Sequence, residues 1–293
     1  VSADPDFDKR EVRRSFERAA ATYDESAVLQ NEICRRLLER LDYIKLAPDW
    51  IVDAGSGTGN AVPGLLTRFP RAGVVAVDLA LAMARRARMR RARWRRLLGW
   101  RGVRLVAACG DIEQLPVASG AAGLVWSNLA LQWVNRPQRA FAEMQRVLAP
   151  GGLLMFSSFG PDTLKELRAA FQGADGHTHV GRFIDMHDLG DVLIAQGFAD
   201  PVMDMEQVTL TYGTVRDLMR DLKCIGARNL TRGRPMTLSG KSLMAKVAQA
   251  YEAFRKDGRL PATFEVIYGH AWKPQLRVSP TGRPVIDIKP RQT

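Results

Sequence analysis

The stretch IVDAGSGTGN (51–60) sets three glycines at alternate positions behind an apolar run that ends in an aspartate. Glycine lacks a Cβ, so it reaches positive φ and lets a ligand approach the main chain. In an open parallel sheet, ligands bind beyond the C-terminal strand ends, where the first strand passes into a helix. Such a turn needs a parallel sheet behind it, and short apolar, β-branched runs do recur. They lie at 50–53, 74–78 (VVAVD), 103–108, 124–127 and 153–158, with helical stretches between most of them. This alternation predicts an α/β fold with a largely parallel sheet. The segment LAPGGLLMF (148–156) compresses a helix stop, a Pro-Gly-Gly turn and a buried strand into a short span.

Residues 9–46 have helical spacing through Phe16, Ala20 and Tyr23, then Ile33, Leu37, Leu38 and Leu41, and Pro48 closes the stretch. Beyond Gly160 the rhythm changes. The pattern predicts a helix over 161–172 with Pro161 in its first turn, a polar loop GADGHTHVGRF, and a helix through Ile194. A strand over 202–212, helices over 214–225 and 239–257, and a last strand over 263–272 follow. The late helices lie between two strands and read as an inserted cap. The expected organisation is one domain over 1–273, with N-terminal lid helices (9–46), a ligand-binding core (50–160) and a cap and substrate region (161–260). A flexible, proline-containing tail over 274–293 completes it.

Hydrophobic residues make up 46% and charged residues 25% of the chain, as in ordinary globular proteins. No apolar run approaches the ~20 residues of a membrane-spanning helix, which disfavours integral membrane contact. The N-terminal stretch has no apolar core of a secretory signal. Cys34, Cys109 and Cys224 are widely spaced and unpaired in pattern, so the chain is expected in the cytoplasm. The net charge of +12 is local: ten arginines and no acid lie between Arg85 and Arg104, and without them 12 − 10 leaves +2.

A dinucleotide fingerprint would place its third glycine at position 60, where this chain has Asn60. The pattern is D-x-G-x-G-x-G over Asp53, Gly55, Gly57 and Gly59. A pyrophosphate on a helix N-terminus would be repelled by Asp53, whereas a cationic amino group would be held by it. Asp78 ends the second strand, where a carboxylate can accept both ribose hydroxyls. Asp111, in CGDIEQLP, follows the third strand and could accept from an adenine amine, with Ile112 packed on the ring. Together these acids suit a ligand made of an amino acid, a ribose and an adenine, without phosphate.

These residues resemble the class I S-adenosylmethionine-dependent methyltransferases over about 50–160. The resemblance implies a seven-stranded, mostly parallel Rossmann-like sheet with helices on both faces and a small helical cap. The cofactor would be S-adenosylmethionine, with S-adenosylhomocysteine as product. The D/N-P-P-Y/F motif of N6-adenine methyltransferases is absent after the fourth strand. The segments SNLALQW (127–133), FERAAATYDESAVLQ (16–30), HVGRF (179–183) and LKCIGARN (222–229) are similar to the malonyl-acyl-carrier-protein O-methyltransferases of biotin synthesis. That likeness implies methylation of the free carboxylate of a malonyl thioester, with acyl carrier protein as partner. A carboxylate is ionised at neutral pH, so the reaction calls for positioning and water exclusion, not a general base. Arg182 is the first candidate to hold the carboxylate and Arg228 the second, because a guanidinium fork fixes its orientation. Tyr23, in the lid, could orient the methyl or the carboxylate. Asn128 and Gln132 would line the site at the end of the fourth strand, Asn128 toward the cofactor and Gln132 toward the substrate. Gln30 could reach the cofactor's amino-acid end, and Trp133 is expected to pack.

His177 and His179 form an H-x-H on a polar loop with His187 nearby, which can bind zinc, but nothing else matches a known ligand spacing. Methyl transfer to a carboxylate calls for no Lewis acid, so no metal is expected. Wound as a helix, 79–104 puts Met83, Ala87, Trp94, Leu97 and Leu98 on one face and arginines over the rest. The face could be simply solvated, or could steer an acidic carrier protein. Anionic membrane surface and RNA are generic alternatives for it, and nucleic acid is disfavoured as a partner. Rival functions are a methyltransferase for a small free acid of the trans-aconitate type, an RNA-binding methyltransferase using 85–104, and an inactive cofactor-binding relative.

Overall fold

The computed structural model describes residues 7–97, 104–175, 180–181, 183–227 and 241–275. Helices α1 (Lys9–Ala19), α2 (Tyr23–Ser26) and α3 (Val28–Arg40) precede β1 (Trp50–Ala54), α4 (Val62–Arg68) and β2 (Gly73–Asp78). Next come α5 (Leu81–Leu97), β3 (Leu105–Cys109), β4 (Ala122–Asn128), α6 (Pro137–Val147) and β5 (Leu148–Phe159). The chain continues through α7 (Lys165–Asp175), α8 (Met186–Ala195), β6 (Ala199–Tyr212), α9 (Val215–Cys224), α10 (Lys241–Glu252) and β7 (Leu260–Trp272).

The strands form one sheet in the order β3-β2-β1-β4-β5-β7-β6. β1 to β5 pair in parallel, whereas β7 runs antiparallel to both β5 and β6. The long crossover through α7 and α8 carries the chain past one position to the sheet edge, and β7 returns into the gap. Successive residues on a strand face opposite sides. Ile51 therefore joins Leu37, Leu65, Leu167 and Val247 in one core layer, while Val52 and Ala54 join Phe141, Met144, Leu189 and Leu193 in the other. Helices thus cover both faces, and the seven-stranded expectation holds. The edge strand β6 alternates between partly buried and exposed residues instead of being buried throughout.

Several local expectations are refined. The 9–46 stretch divides into three α-helices and a short 3-10 turn at Leu41–Tyr43, with Asp8 capping α1 by accepting from Arg10 N at 2.9 Å. The helix expected at 161 begins at Lys165 instead. Leu164 has φ +56°, and its N–H donates 2.6 Å to Thr263 O, while Thr163 Oγ1 donates to Glu265 O. Bonding to β7 thus holds 160–164 as a turn, and Pro161 lies in that turn. β5 starts at Leu148, paired with Ala122, before a register shift admits the Pro-Gly-Gly turn. Pro280, Pro284 and Pro290 of the expected tail lie outside the described residues, as does Leu98. Among the described residues, no helix is long and apolar enough to cross a membrane.

Candidate active site

Asp53 is the penultimate residue of β1; it is 2% exposed, and its Oδ2 has no hydrogen-bond partner among the described residues. Burial, and then the Asp78 charge, push its carboxyl up to about 8. The chain then turns through Gly55 (φ +80°), Gly57 (φ +54°) and Gly59 (φ +81°). The N–H groups of Gly55 and Ser56 both reach Val77 O, at 2.8 and 2.9 Å, which fastens the turn to the end of β2. A Cβ on Gly55 would lie 2.2 Å from Ala130 Cβ, so glycine there is imposed by the turn after β4 as well as by φ.

Asp78 accepts from Gly57 N and Ala80 N, each at 2.8 Å, one on each carboxylate oxygen. Each oxygen keeps a second lone pair, and the side chain lines a cavity above the glycine turn with about 600 Å³ of atom-free space, part of it open to solvent. Burial pushes its carboxyl up to about 6 against the pull of those two N–H groups. Asp111 and Ile112 line the same cavity from the loop after β3. Asp111 Oδ1 takes Glu113 N and Lys9 Nζ, both at 3.0 Å. Asn128 also borders the cavity, but its amide donates 3.1 Å to Gln30 O and accepts 2.8 Å from Ser157 Oγ. Its hydrogen bonds hold α3 and β5 to the end of β4.

The remaining wall of this cavity comes from α1 and α2, through Lys9, Val12, Phe16 and Tyr23. Tyr23 packs 3.9 Å from where a Gly57 Cβ would stand. Burial and the carboxylates of Asp78 and Asp24 push its phenol well above the usual tyrosine range, so it stays protonated and can donate. Phe16, Tyr23, Leu129 and Trp133 also line a second, adjoining cavity with about 1200 Å³ of atom-free space. Its walls are mainly apolar, among them Phe159, Leu167, Phe183, Leu210 and Phe264. Gln132 and Gln30 line it too, each with a buried amide oxygen that has no partner among the described residues. Gln30 therefore borders the second cavity and not the first. Asp221 is its acidic side chain among the described residues, and burial together with Asp221 pushes the neighbouring Tyr212 phenol up to about 12.

Arg182 and Arg228 lie outside the described residues, as do His177 and His179. Their neighbours are informative: Gly181 and Phe183 flank position 182, Ala227 precedes 228, and all three line the second cavity. His187 Nδ1 lies 2.9 Å from Asp185 Oδ1 beside the α8 cap, and among the described residues no cluster of His, Cys, Asp or Glu could hold a metal. Trp133 packs edge-on against Phe16 with ring centroids 5.4 Å apart, and also forms the boundary between the cavities.

Sequence reasoning missed Lys9, Phe16 and Leu129. Lys9 bridges Asp111 and Glu113 at 3.0 and 3.1 Å, closing α1 over the first cavity. Leu129 has φ +50°, a strained conformation for a branched residue, and its N–H donates to Ser157 Oγ at 3.0 Å. Only the position of Leu129 inside SNLALQW could have signalled it; Lys9 carries no spacing cue. The first cavity suits an amino-acid nucleoside. Gly55 and Gly57 admit close approach, Asp78 ends β2 and Asp111 follows β3 on its wall, while Asp53, with its unpartnered oxygen, lies buried behind the glycine turn and is not itself a lining residue.

Residues 52–156 match the methyltransferase domain family. The chain is similar to the YcgJ protein of Bacillus subtilis, with 16% identity, a TM-score of 0.56, and coverage of 82% of this chain and 99% of that one. It is also similar in fold to an S-adenosylmethionine-dependent methyltransferase of Thermotoga maritima, with 16% identity, a TM-score of 0.50, and coverage of 89% and 99%. Two sequence relatives are much nearer. The malonyl-[acyl-carrier protein] O-methyltransferase of Nitrosospira multiformis is 56% identical over 95% of this chain and 94% of its own length. That of Gallionella capsiferriformans is 52% identical over 96% of each. With that identity along nearly the whole chain, and with the glycine turn and strand-end acids in place, the chain belongs to the malonyl-[acyl-carrier protein] O-methyltransferase family of S-adenosylmethionine-dependent enzymes.

Proposed function

We propose that this chain methylates the free carboxylate of a malonyl thioester on acyl carrier protein, giving the methyl ester that primes pimeloyl chain synthesis for biotin. The observation that carries the reading is the pair of adjoining cavities. One is built from glycines and acids and the other from apolar side chains, and Phe16, Tyr23, Leu129 and Trp133 stand at their junction. S-adenosylmethionine, when bound, supplies an electrophilic methyl on its sulfonium. Asp53, Asp78 and Asp111 would hold its amino, ribose and adenine parts, with Ile112 on the ring and the Gly55–Gly59 turn beneath.

The acceptor carboxylate has a reference pKa of ~4 and arrives ionised, so no residue has to remove a proton. The protonated Tyr23 phenol donates to a carboxylate oxygen and leaves the other to attack. Arg182 supplies the charge that fixes the carboxylate, with Arg228 as second anchor and Gln132 as a further polar contact. Apolar walls exclude water, which strengthens each of these contacts. Asp221 on the cavity wall disfavours an acceptor with further free carboxylates, such as trans-aconitate, and favours a neutral thioester beyond the reacting group. Arg85 and Arg88 on α5 are exposed and offer an acidic carrier protein a cationic landing face. Free Cys34, Cys109 and Cys224 suit a reducing cytoplasm.

Transfer of labelled methyl to malonyl-acyl-carrier-protein, malonyl-CoA, trans-aconitate and bulk RNA tests this reading. Label on the malonyl carrier above the other three is expected. Label confined to trans-aconitate or RNA would overturn the acceptor assignment and leave the cofactor site intact.

A further inference from the structure

The arginine-rich helix is the feature the proposed chemistry absorbs least. In the described part of α5, Met83 and Ala87 are fully buried, and the arginines divide into two sets. Arg85 and Arg88 face solvent. Arg86 and Arg90, one turn apart, face α2 instead and converge on Asp24, the residue after Tyr23.

Asp24 Oδ2 pairs with Arg90 and, at 3.7 Å, with Arg86, and Arg86 also donates 3.0 Å to Ala21 O. The other oxygen of the same carboxylate accepts from Thr58 Oγ1 at 2.6 Å. Thr58 belongs to the glycine turn and is 1% exposed, so this bond ties the lid to the floor of the cofactor cavity. A second tie reinforces the first: Glu17 of α1 accepts from Leu81 N and Ala82 N, at 2.7 and 3.0 Å, and so caps the start of α5. Phe16 and Tyr23, the cavity-wall residues, sit next to these two acids in sequence.

We infer that Arg90, assisted by Arg86, is a positioning residue: through Asp24 it seats Tyr23 and the lid over the cofactor turn. Part of the arginine helix therefore serves the active site, whatever lands on its outer face. The inference rests on the cofactor reading above, since it concerns retention of that ligand. Two partly exposed pairs on one carboxylate support a modest effect. Arg90→Ala and Asp24→Asn should each weaken binding by roughly three- to ten-fold.

The test is calorimetric titration of the full chain with S-adenosylhomocysteine, with thermal melts alongside. Arg90→Ala and Asp24→Asn are expected to weaken affinity by similar factors, and the double variant no more than the larger single one. Arg90→Lys should restore most of the loss, with melting temperatures within about 2 °C of wild type throughout. Arg35→Ala, a charge loss on the exposed face of α3, and Met89→Ala, on α5 itself, should leave affinity within about two-fold. Arg90→Ala binding as tightly as those controls would overturn the inference, as would additive effects of Arg90→Ala and Asp24→Asn. A wild-type chain that fails to bind S-adenosylhomocysteine would instead sink the cofactor assignment, and the inference with it.

Discussion

Replacing Asp53 with asparagine should change the pH dependence of cofactor binding more than any other single substitution in the site. In the ligand-free protein the buried Asp53 carboxyl titrates at about 8, raised first by burial and then by Asp78. A ligand ammonium binds it as a pair only when the carboxyl is ionised and the amine, with a reference pKa of ~7.8, is protonated. Affinity then follows the product of the two fractions, each about one half at pH 8. Relative to pH 8 it should fall about 2.5-fold at pH 7 and roughly six- to seven-fold at pH 6.5, and fall again above pH 8, by roughly four-fold at pH 9. Calorimetry with S-adenosylhomocysteine should trace this bell, and Asp53→Asn should bind more weakly and flatten both limbs. An adenosine thioether without the amino group should bind weakly and evenly across the range. Ligand-free stability should slope the other way. The folded pKa of Asp53 lies above its unfolded value of ~3.9, so its contribution is full below that value and is lost as pH rises through 8. The wild-type melting temperature should accordingly fall from pH 6 to 9 relative to Asp53→Asn. Affinity that is flat from pH 6.5 to 8, or an acid limb that survives in Asp53→Asn, would refute the pairing.

The remaining predictions concern the turn, the anchor and the outer face of α5. Gly55→Ala combines φ +80° with a contact of 2.2 Å to Ala130, and should cost about 2–4 kcal/mol in thermal unfolding and abolish cofactor binding. Arg182→Ala should lower kcat/KM for a malonyl thioester by at least about 100-fold, with cofactor affinity in calorimetry unchanged; equal turnover would move the anchor to Arg228. Arg85→Glu with Arg88→Glu should raise KM for malonyl-acyl-carrier-protein several-fold in low salt but not for malonyl-CoA, and parallel increases would remove the docking role.

How much of this was legible in sequence depends on the range over which each feature is encoded. The turn at 53–59 and the acids at 78 and 111 are local: each requires only an apolar strand running into the right residue, and β2 ends where the pattern places it while β1 and β3 run one residue further. The direction of β7 was not legible. TFEVIYGHAW reads as a strand by composition, but nothing in its period tells whether it runs along β5 or against it, or that it enters between β5 and β6. The late start of α7 was hidden for a related reason. Pro161 satisfies a helix start locally, yet the hydrogen bond from Leu164 N to Thr263 O, across about a hundred residues, determines where that turn ends.

The closure of the site is encoded at the same long range. Glu17 meets Leu81, Asp24 meets Thr58 and Arg90, and Lys9 meets Asp111, and none of these separations has a helical or strand period. Composition even misled in one respect, because ten arginines in one window invite a single explanation. On a helix packed against a lid, residues of one type are sorted by face. Arg85 and Arg88 look outward, while Arg86 and Arg90 look toward Asp24. A change in salt concentration should therefore act on the two sets differently. The exposed pair is screened within a Debye length of ~8 Å near physiological ionic strength, whereas the pair on Asp24 is partly shielded by the lid and screened less. Carrier-protein affinity should consequently fall with salt before cofactor affinity does, and a common midpoint for both would mean that the helix acts as one undivided surface.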